Sequence, residues 1–434
     1  MRYFSTRDKD RERPFALKDA AFLGLAPDGG LFIPESIPQV DLAEVEALAG
    51  ESYSAMAAYL AQKIFPQAVS HDELTAMLDK AYDFECPLVK MEGNIYNLQL
   101  FHGPTYAFKD FGARFMGGML GLLNKGTDDL IVLTATSGDT GSAVANGFYD
   151  VPGIKVVVLY PEGKVSNLQE SQMTTLGKNI NPIRVKGNFD DCQALVKAIF
   201  NDSEFRKSVK VTSANSINLL RWVPQSFYYF YAWCAWKKAT GKTAPDIVVP
   251  SGNYGNITAG MLAQKMGMPV RRWIAASNAN DVVPEFLKTG EYRPRASVQT
   301  IANAMDVGAP SNYERMMYLY EDDYARLTSE VSGFSCSDAD IKDGIRDIYN
   351  RCGGYISDPH SAVAYNAARH YDIDGFYLST AHAAKFGEVI GPVLGVSPDI
   401  PQGLRTAMQK QKAFTTMNNS IDELKNFISK INAQ

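Results

Sequence analysis

The stretch Leu130-Ile-Val-Leu-Thr-Ala-Thr-Ser-Gly-Asp-Thr-Gly141, running on into Ser142 to Phe148, decides the fold. Its apolar opening reads as a buried strand, its Gly- and hydroxyl-rich middle as a loop, and its continuation as a helix. The same order recurs on either side. Ile154-Lys-Val-Val-Val-Leu159 leads through Tyr160-Pro-Glu-Gly163 into a helical stretch ending near Leu176. Asp246-Ile-Val-Val249 leads through Pro250-Ser-Gly-Asn-Tyr-Gly-Asn256 into Ile257 to Met266, and Gly375-Phe-Tyr-Leu378 leads into Ser379-Thr-Ala-His382. Strand, loop, helix in repetition predicts an α/β protein with parallel sheets flanked by helices. Ligands of such sheets bind at the carboxyl ends of the strands, where these polar loops fall.

Farther out the chain is quieter. Before residue 93, turn signals such as Ala26-Pro-Asp-Gly-Gly30 alternate with helical spacing from Leu42 to Tyr82, with Ser70 as a helix cap. This predicts a mainly helical N-terminal domain over 1–93. A large α/β domain is expected over 94–128 and 205–434, with a small α/β subdomain over 129–204. A length of 434 residues fits two or three domains. Apolar residues make up 46% and charged residues 21%, the balance of an ordinary soluble globular chain. Lys and Arg are scattered and the net charge is −5, which argues against a nucleic-acid partner. The charged opening Met1–Arg13 lacks the apolar core of a secretory signal, and no apolar run is long enough for a bilayer. Five dispersed cysteines without a CxxC pair predict reduced thiols and neither disulfides nor zinc. The expectation is a cytoplasmic enzyme, a monomer or small homo-oligomer.

Four segments could carry chemistry. In Leu98-Gln-Leu-Phe-His-Gly-Pro-Thr-Tyr-Ala-Phe-Lys-Asp-Phe-Gly-Ala-Arg114, Lys109 emerges from a Gly-Pro turn between Phe108 and Phe111. Desolvation by aromatics lowers a lysine pKa and frees a nucleophilic amine, although a stem lying over apolar surface would look alike. In Ser137-Gly-Asp-Thr-Gly141 the glycines allow close backbone approach and the following helix offers free N–H groups. Asp139 would repel a phosphate, so Ser137, Asp139 and Thr140 suit a small amino-acid ligand better; a capped helix start is the plain alternative. Ser251-Gly-Asn-Tyr-Gly-Asn256 has two glycines and no acid, and reads as a phosphate cradle without the G-x-G-x-x-G spacing of dinucleotide sites. In Thr212-Ser-Ala-Asn-Ser-Ile-Asn-Leu-Leu-Arg221, the donors Asn215, Ser216 and Arg221 suit a phosphate or carboxylate, or else an N-capped helix with a surface Arg.

Asp358-Pro-His360 suits acid–base work or a helix cap equally, and His382 follows Ser379 and Thr380 at a strand end. No histidine pair has metal spacing, and neither a Gly-x-Ser-x-Gly elbow nor a Walker A loop is present.

Taken in order, these motifs resemble the threonine synthases, in the longer subgroup with an extra N-terminal domain. The resemblance runs through Gly29-Gly-Leu-Phe32, Leu100-Phe-His-Gly-Pro-Thr105, Ala107-Phe-Lys-Asp110, Leu133 to Gly141, Ser213 to Asn218, Pro250-Ser-Gly-Asn253, Asn303-Ala-Met-Asp-Val307 and Asp358-Pro-His360. It implies the tryptophan-synthase-β-like (type II) fold, pyridoxal 5'-phosphate as cofactor, and conversion of O-phospho-L-homoserine and water into L-threonine and phosphate. By the same resemblance Lys109 is the Schiff-base lysine. Ser251, Gly252, Asn253, Tyr254, Gly255 and Asn256 cradle the cofactor phosphate, and Thr380 meets the pyridine nitrogen. Ser137, Asp139 and Thr140 lie at the substrate carboxylate and cofactor face, and Asn215, Ser216 and Arg221 hold the substrate phosphate. Tyr254 and Ala383 depart from the Phe and Pro frequent in the family, which touches loop geometry and leaves the functional groups intact. A dehydratase or β-replacing synthase of the same fold would share Lys109 and the glycine loop but has little use for Asn215, Ser216 and Arg221. A non-catalytic ligand-binding homologue and a dinucleotide-dependent oxidoreductase are the readings from other classes.

Overall fold

The computed structural model describes residues 1–126 and 129–433. Its strands, in chain order, are β1 (Tyr3–Ser5), β2 (Phe32–Pro34), β3 (Leu88–Glu92), β4 (Ile95–Gln99), β5 (Leu130–Ala135), β6 (Ile154–Pro161), β7 (Ile180–Lys186), β8 (Val211–Ser213), β9 (Asp246–Pro250), β10 (Arg272–Ser277), β11 (Val331–Ser335), β12 (Gly375–Ser379) and β13 (Thr415–Asn418). The β-branched runs read from the sequence are β5, β6, β9 and β12, every residue of β5, β9 and β12 being buried. Burial on both faces is what separates such runs from alternating surface strands.

Two sheets result. The larger has the order β11-β10-β9-β12-β4-β3, parallel except for the β3–β4 pair. The smaller has the order β13-β7-β6-β5-β8 and is parallel throughout. The expected large domain, 205–434, therefore gives up two pieces to the smaller sheet. β8 pairs with β5, and β13 pairs with β7 while the helix Ile421–Asn432 buries Leu424, Ile428 and Ile431 in the smaller sheet's core. Local spacing identifies an amphipathic helix but carries no information on which sheet it covers.

The N-terminal region contains the helices Leu17–Leu23, Leu42–Glu51, Tyr53–Ile64 and His71–Ala81, the last opened by Ser70 and Glu73 in a reciprocal capping box. The antiparallel pair β1–β2 joins them. This region has no core of its own: Tyr53, Met56, Leu60 and Leu78 belong to the same buried cluster as Phe111, Trp222, Tyr228 and Trp273.

One close approach positions the chemistry. The helix Lys109–Leu123 begins at Lys109, and the helix Asp139–Gly147 begins at Asp139. They cross where glycine meets glycine: a Cβ on Gly117 would stand 2.2 Å from the Gly147 carbonyl oxygen, and one on Gly147 would stand 2.6 Å from the Ala113 carbonyl carbon. Only bare backbone permits that contact, which packs the middle of the first helix against the last turn of the second.

Candidate active site

The turn before Lys109 is built around Asp110. The Thr105 N–H and hydroxyl donate to the buried Asp110 carboxylate at 2.9 and 2.6 Å. Burial pushes this carboxyl up to about 6, against the opposing effect of the Thr105 hydrogen bonds. On the other side of the turn the Phe108 N–H donates to the Thr380 carbonyl at 2.8 Å, and Ala107 bridges to Ala381. Lys109 and Thr380, distant in sequence, are thus fixed beside each other. Thr380 is itself anchored, its N–H donating to Ser361 Oγ at 3.1 Å, with Ser361 bonded in turn to Asp358.

Lys109 is half-buried. Desolvation lowers its pKa, with Lys385 and Arg221 acting in the same direction and Asp139 opposing. The shift favours the neutral, nucleophilic amine more than in a solvated lysine.

The Ser137–Gly141 loop follows β5. Thr136 Oγ1 accepts from the Gly138 and Gly141 N–H groups at 3.0 and 2.8 Å, which folds the loop back over the strand end. Ser137 is exposed, Thr140 half-buried and Asp139 buried. Asp139 pairs with Lys385 at 2.7 Å and accepts from Gln169 Nε2 at 2.9 Å. Burial works to raise the Asp139 carboxyl, but Lys385, Lys109 and the Gln169 hydrogen bond hold it well below the usual carboxylate range.

The Ser251–Asn256 loop follows β9 and opens the helix Gly255–Lys265. Tyr254 sits in the left-handed region at φ 62°, and its hydroxyl meets Ser277 Oγ at 2.7 Å, a partner that phenylalanine would lack. A Cβ on Gly252 would come within 2.6 Å of the Met305 Cα. Asn253 bonds Ser216 Oγ at 2.8 Å, so this loop and the Asn215–Ser216 turn form one wall. Asn256 Oδ1 accepts from the Tyr228 and Tyr229 hydroxyls at 2.5 and 2.7 Å, while its Nδ2 is buried without a hydrogen-bond partner.

Arg221 is not the surface residue of the plain alternative. It is buried in the short helix Leu219–Trp222, donates from Nη1 to the Ala214 carbonyl at 2.9 Å, and leaves Nε without a partner. Burial lowers its pKa to about 10, with Asp110 opposing. Asn218 caps this helix, and Asn215 Oδ1 instead accepts from Thr134 Oγ1 at 3.1 Å. Asp358 and His382 serve as caps. Asp358 accepts from the His360 and Ser361 N–H groups, and His382 Nδ1 accepts from the Ala384 N–H.

Sequence reading missed two residues that hold this site together. Lys385 stands among Ala383, Ala384 and Phe386, which is the same signal that singled out Lys109. Arg315, fully buried, donates to the Ser216 and Ile217 carbonyls at 3.1 and 2.8 Å and lies over Trp222; nothing local marked it. Among the described residues no His/Cys/Asp/Glu cluster could hold a metal ion. Among the described residues, no helix is long and apolar enough to cross a membrane.

This geometry has close relatives. The family described as threonine synthase N terminus matches residues 2–82, pyridoxal-phosphate dependent enzyme matches 86–375, and threonine synthase, C-terminal, matches 361–428. A threonine synthase of Serratia marcescens is 40% identical over 431 residues, covering 99% of both chains. The chain belongs to the threonine synthase family. The crystal structure of threonine synthase from Escherichia coli superposes with a TM-score of 0.90 at 38% identity, covering 100% of both chains. A pyridoxal-phosphate-bound threonine synthase from Brucella melitensis gives 0.94 at 33% identity, again over 100% of both. The type II fold expected of a threonine synthase is present, and the cofactor is pyridoxal phosphate.

The donor set suits that cofactor. A half-buried lysine of lowered pKa faces an aldehyde's needs. The acid-free loop at the start of an 11-residue helix, with unpaired first-turn N–H groups, suits a phosphate dianion.

Proposed function

We propose that this cleft converts O-phospho-L-homoserine and water into L-threonine and phosphate, as a pyridoxal-phosphate-dependent carbon–oxygen lyase. The observation that carries the assignment of roles is Lys109, lowered in pKa, fixed beside Thr380 and within electrostatic reach of Asp139 and Arg221.

Bound here, pyridoxal phosphate supplies an electron sink that makes the carbons next to an amino group acidic. The chain's own residues do the rest. Lys109 holds the cofactor and then, as a neutral amine, takes and returns the proton at the substrate α-carbon. Ser251, Gly252, Asn253, Tyr254, Gly255 and Asn256 bind the cofactor phosphate through neutral donors and helix N–H groups. The Thr380 hydroxyl meets the ring nitrogen without adding charge. Ser137, Asp139 and Thr140 belong to the loop that receives the substrate carboxylate. Asn215, Ser216 and Arg221 hold the substrate phosphate, where negative charge grows as a Cβ proton is removed and the bond from Cγ to oxygen breaks; Cγ then gains a proton to become the methyl group, and water gives its oxygen to Cβ and a proton to the medium.

The same reading makes the chain a cytoplasmic enzyme, a monomer or small homo-oligomer, whose partner is a small molecule and neither nucleic acid nor membrane. It also keeps the division into an N-terminal unit, a large unit and a small unit, with β8 and residues 415–432 assigned to the small one. The test is a coupled assay with O-phospho-L-homoserine on the cofactor-loaded protein, following phosphate and threonine together. Equal yields are expected; phosphate without threonine would make the chain an eliminating relative instead.

A further inference from the structure

Asp139 poses a problem for the reading just given. A buried carboxylate stands in the loop assigned to an anionic group of the substrate, and like charges brought together out of water repel strongly. The structure answers it with a residue from the other sheet. Lys385 lies in the short 3-10 turn Ala383–Phe386 after β12, and its side chain is fully buried. Its ammonium donates to Asp139 Oδ1 at 2.7 Å and to the Thr105 carbonyl at 2.8 Å. Gln172 Nε2 reaches the same carbonyl at 3.2 Å, and Gln169 the same Asp139 oxygen at 2.9 Å. Three segments meet at this one ammonium: the loop after β5, the turn that presents Lys109, and the segment carrying Thr380. A buried pair of this kind is a poor source of net stability, since desolvation consumes most of what attraction returns. Its placement across the cleft suits a different task.

We propose that Lys385 is a positioning residue for the reaction: it cancels the Asp139 charge so that the Ser137–Gly141 loop accepts the substrate's α-carboxylate. The inference rests on the loop being the carboxylate site, as proposed above. It goes further in assigning the loop's anion affinity to a lysine of the opposite sheet.

The experiment uses the cofactor-loaded enzyme and the variants Lys385→Met, Lys385→Arg and the neutral pair Asp139→Asn/Lys385→Met. For Lys385→Met, KM for O-phospho-L-homoserine is expected to rise at least about 30-fold, from an uncompensated like charge. Inhibition by inorganic phosphate, which has no carboxylate, should change less than about threefold, because its site is elsewhere in the cleft. A purely structural lysine would not separate the two constants. Lys385→Arg and the neutral pair should each keep KM within about tenfold of the parent, since neither leaves a bare charge. The proposal is overturned by a parent-like KM in Lys385→Met, or by phosphate inhibition weakened in step with KM. If Lys385→Met does not fold, a cofactor-loaded neutral pair whose KM is raised about 30-fold overturns it equally, because no net charge then remains to explain the loss. Absence of turnover in the parent enzyme would instead sink the functional reading, so the two failures are distinct.

Discussion

The two loops at the strand ends solve opposite problems with opposite means. The loop after β9 contains no charged residue, and its side chains are held by neutral partners: Ser216 for Asn253, Ser277 for Tyr254, and two tyrosine hydroxyls for Asn256. The loop after β5 carries a buried acid and is held by a buried lysine. A dianionic phosphate is best met by N–H groups and a helix terminus, with nothing nearby to compete. A zwitterionic amino acid, carrying both signs, can be met by a loop in which charge is present but balanced. The difference shows that charge balance at a cleft is set by the whole surrounding fold, because the compensating group for one loop is supplied by the segment after β12.

The largest effect expected is at the residue between the two loops. Lys109→Ala should abolish turnover, by at least about 10³-fold in kcat, and remove the visible absorbance of the bound cofactor. Turnover surviving in that variant would end the assignment of Lys109.

Arg221→Ala probes the phosphate end alone. A fall in kcat of about 10² is expected, the usual loss for one donor to a developing anion, with the cofactor absorbance unchanged. An unaltered rate of phosphate release would remove Arg221 from the site.

Asn256→Asp places an uncompensated acid in the neutral loop, copying the charge of the other loop without its lysine. Replacing the unpartnered Nδ2 by oxygen keeps the shape, and cofactor affinity should fall about 100-fold in an equilibrium titration, the cost of a like charge beside a phosphate. Unchanged affinity would mean that the phosphate lies elsewhere.

The smallest effect concerns stability and pH. Asp110 titrates near 6 when folded, above its ordinary 3.8, so between these values the folded chain holds the extra proton. Its contribution to stability is therefore greatest below about pH 4 and declines as pH rises to about 6, by about 3 kcal/mol in all. Denaturant unfolding of the parent and of Asp110→Asn over pH 4 to 7 should show the parent losing that amount relative to the variant. Parallel curves would show that Asp110 is ionised throughout.

Much of this was legible in the linear chain. The buried runs of β5, β6, β9 and β12 announce themselves by composition, and each polar loop follows its strand, so Lys109, Asp139 and Ser251–Asn256 could be named as candidates before any contact was known, and Thr380 through the family resemblance. Capping by Ser70 and Asp358 was equally local. What could not be read are facts of pairing at long range. Lys385 carries the same apolar neighbours as Lys109, but its partner Asp139 lies on the other sheet. Arg315 works through backbone carbonyls of Ser216 and Ile217, which leave no trace in side-chain identity. The destination of β13 is likewise a matter of sheet edges, not of sequence pattern.

That destination has a consequence for the chain as it is made. β7 leaves the ribosome early, but the neighbour that covers its outer edge, β13, follows only after β9, β10, β11 and β12 have all been synthesised. Throughout that interval the growing chain carries an open, ladder-ready strand edge, together with the apolar face that Leu424, Ile428 and Ile431 later seal. Birth order thus leaves an edge of the smaller sheet uncovered until almost the whole chain has been made.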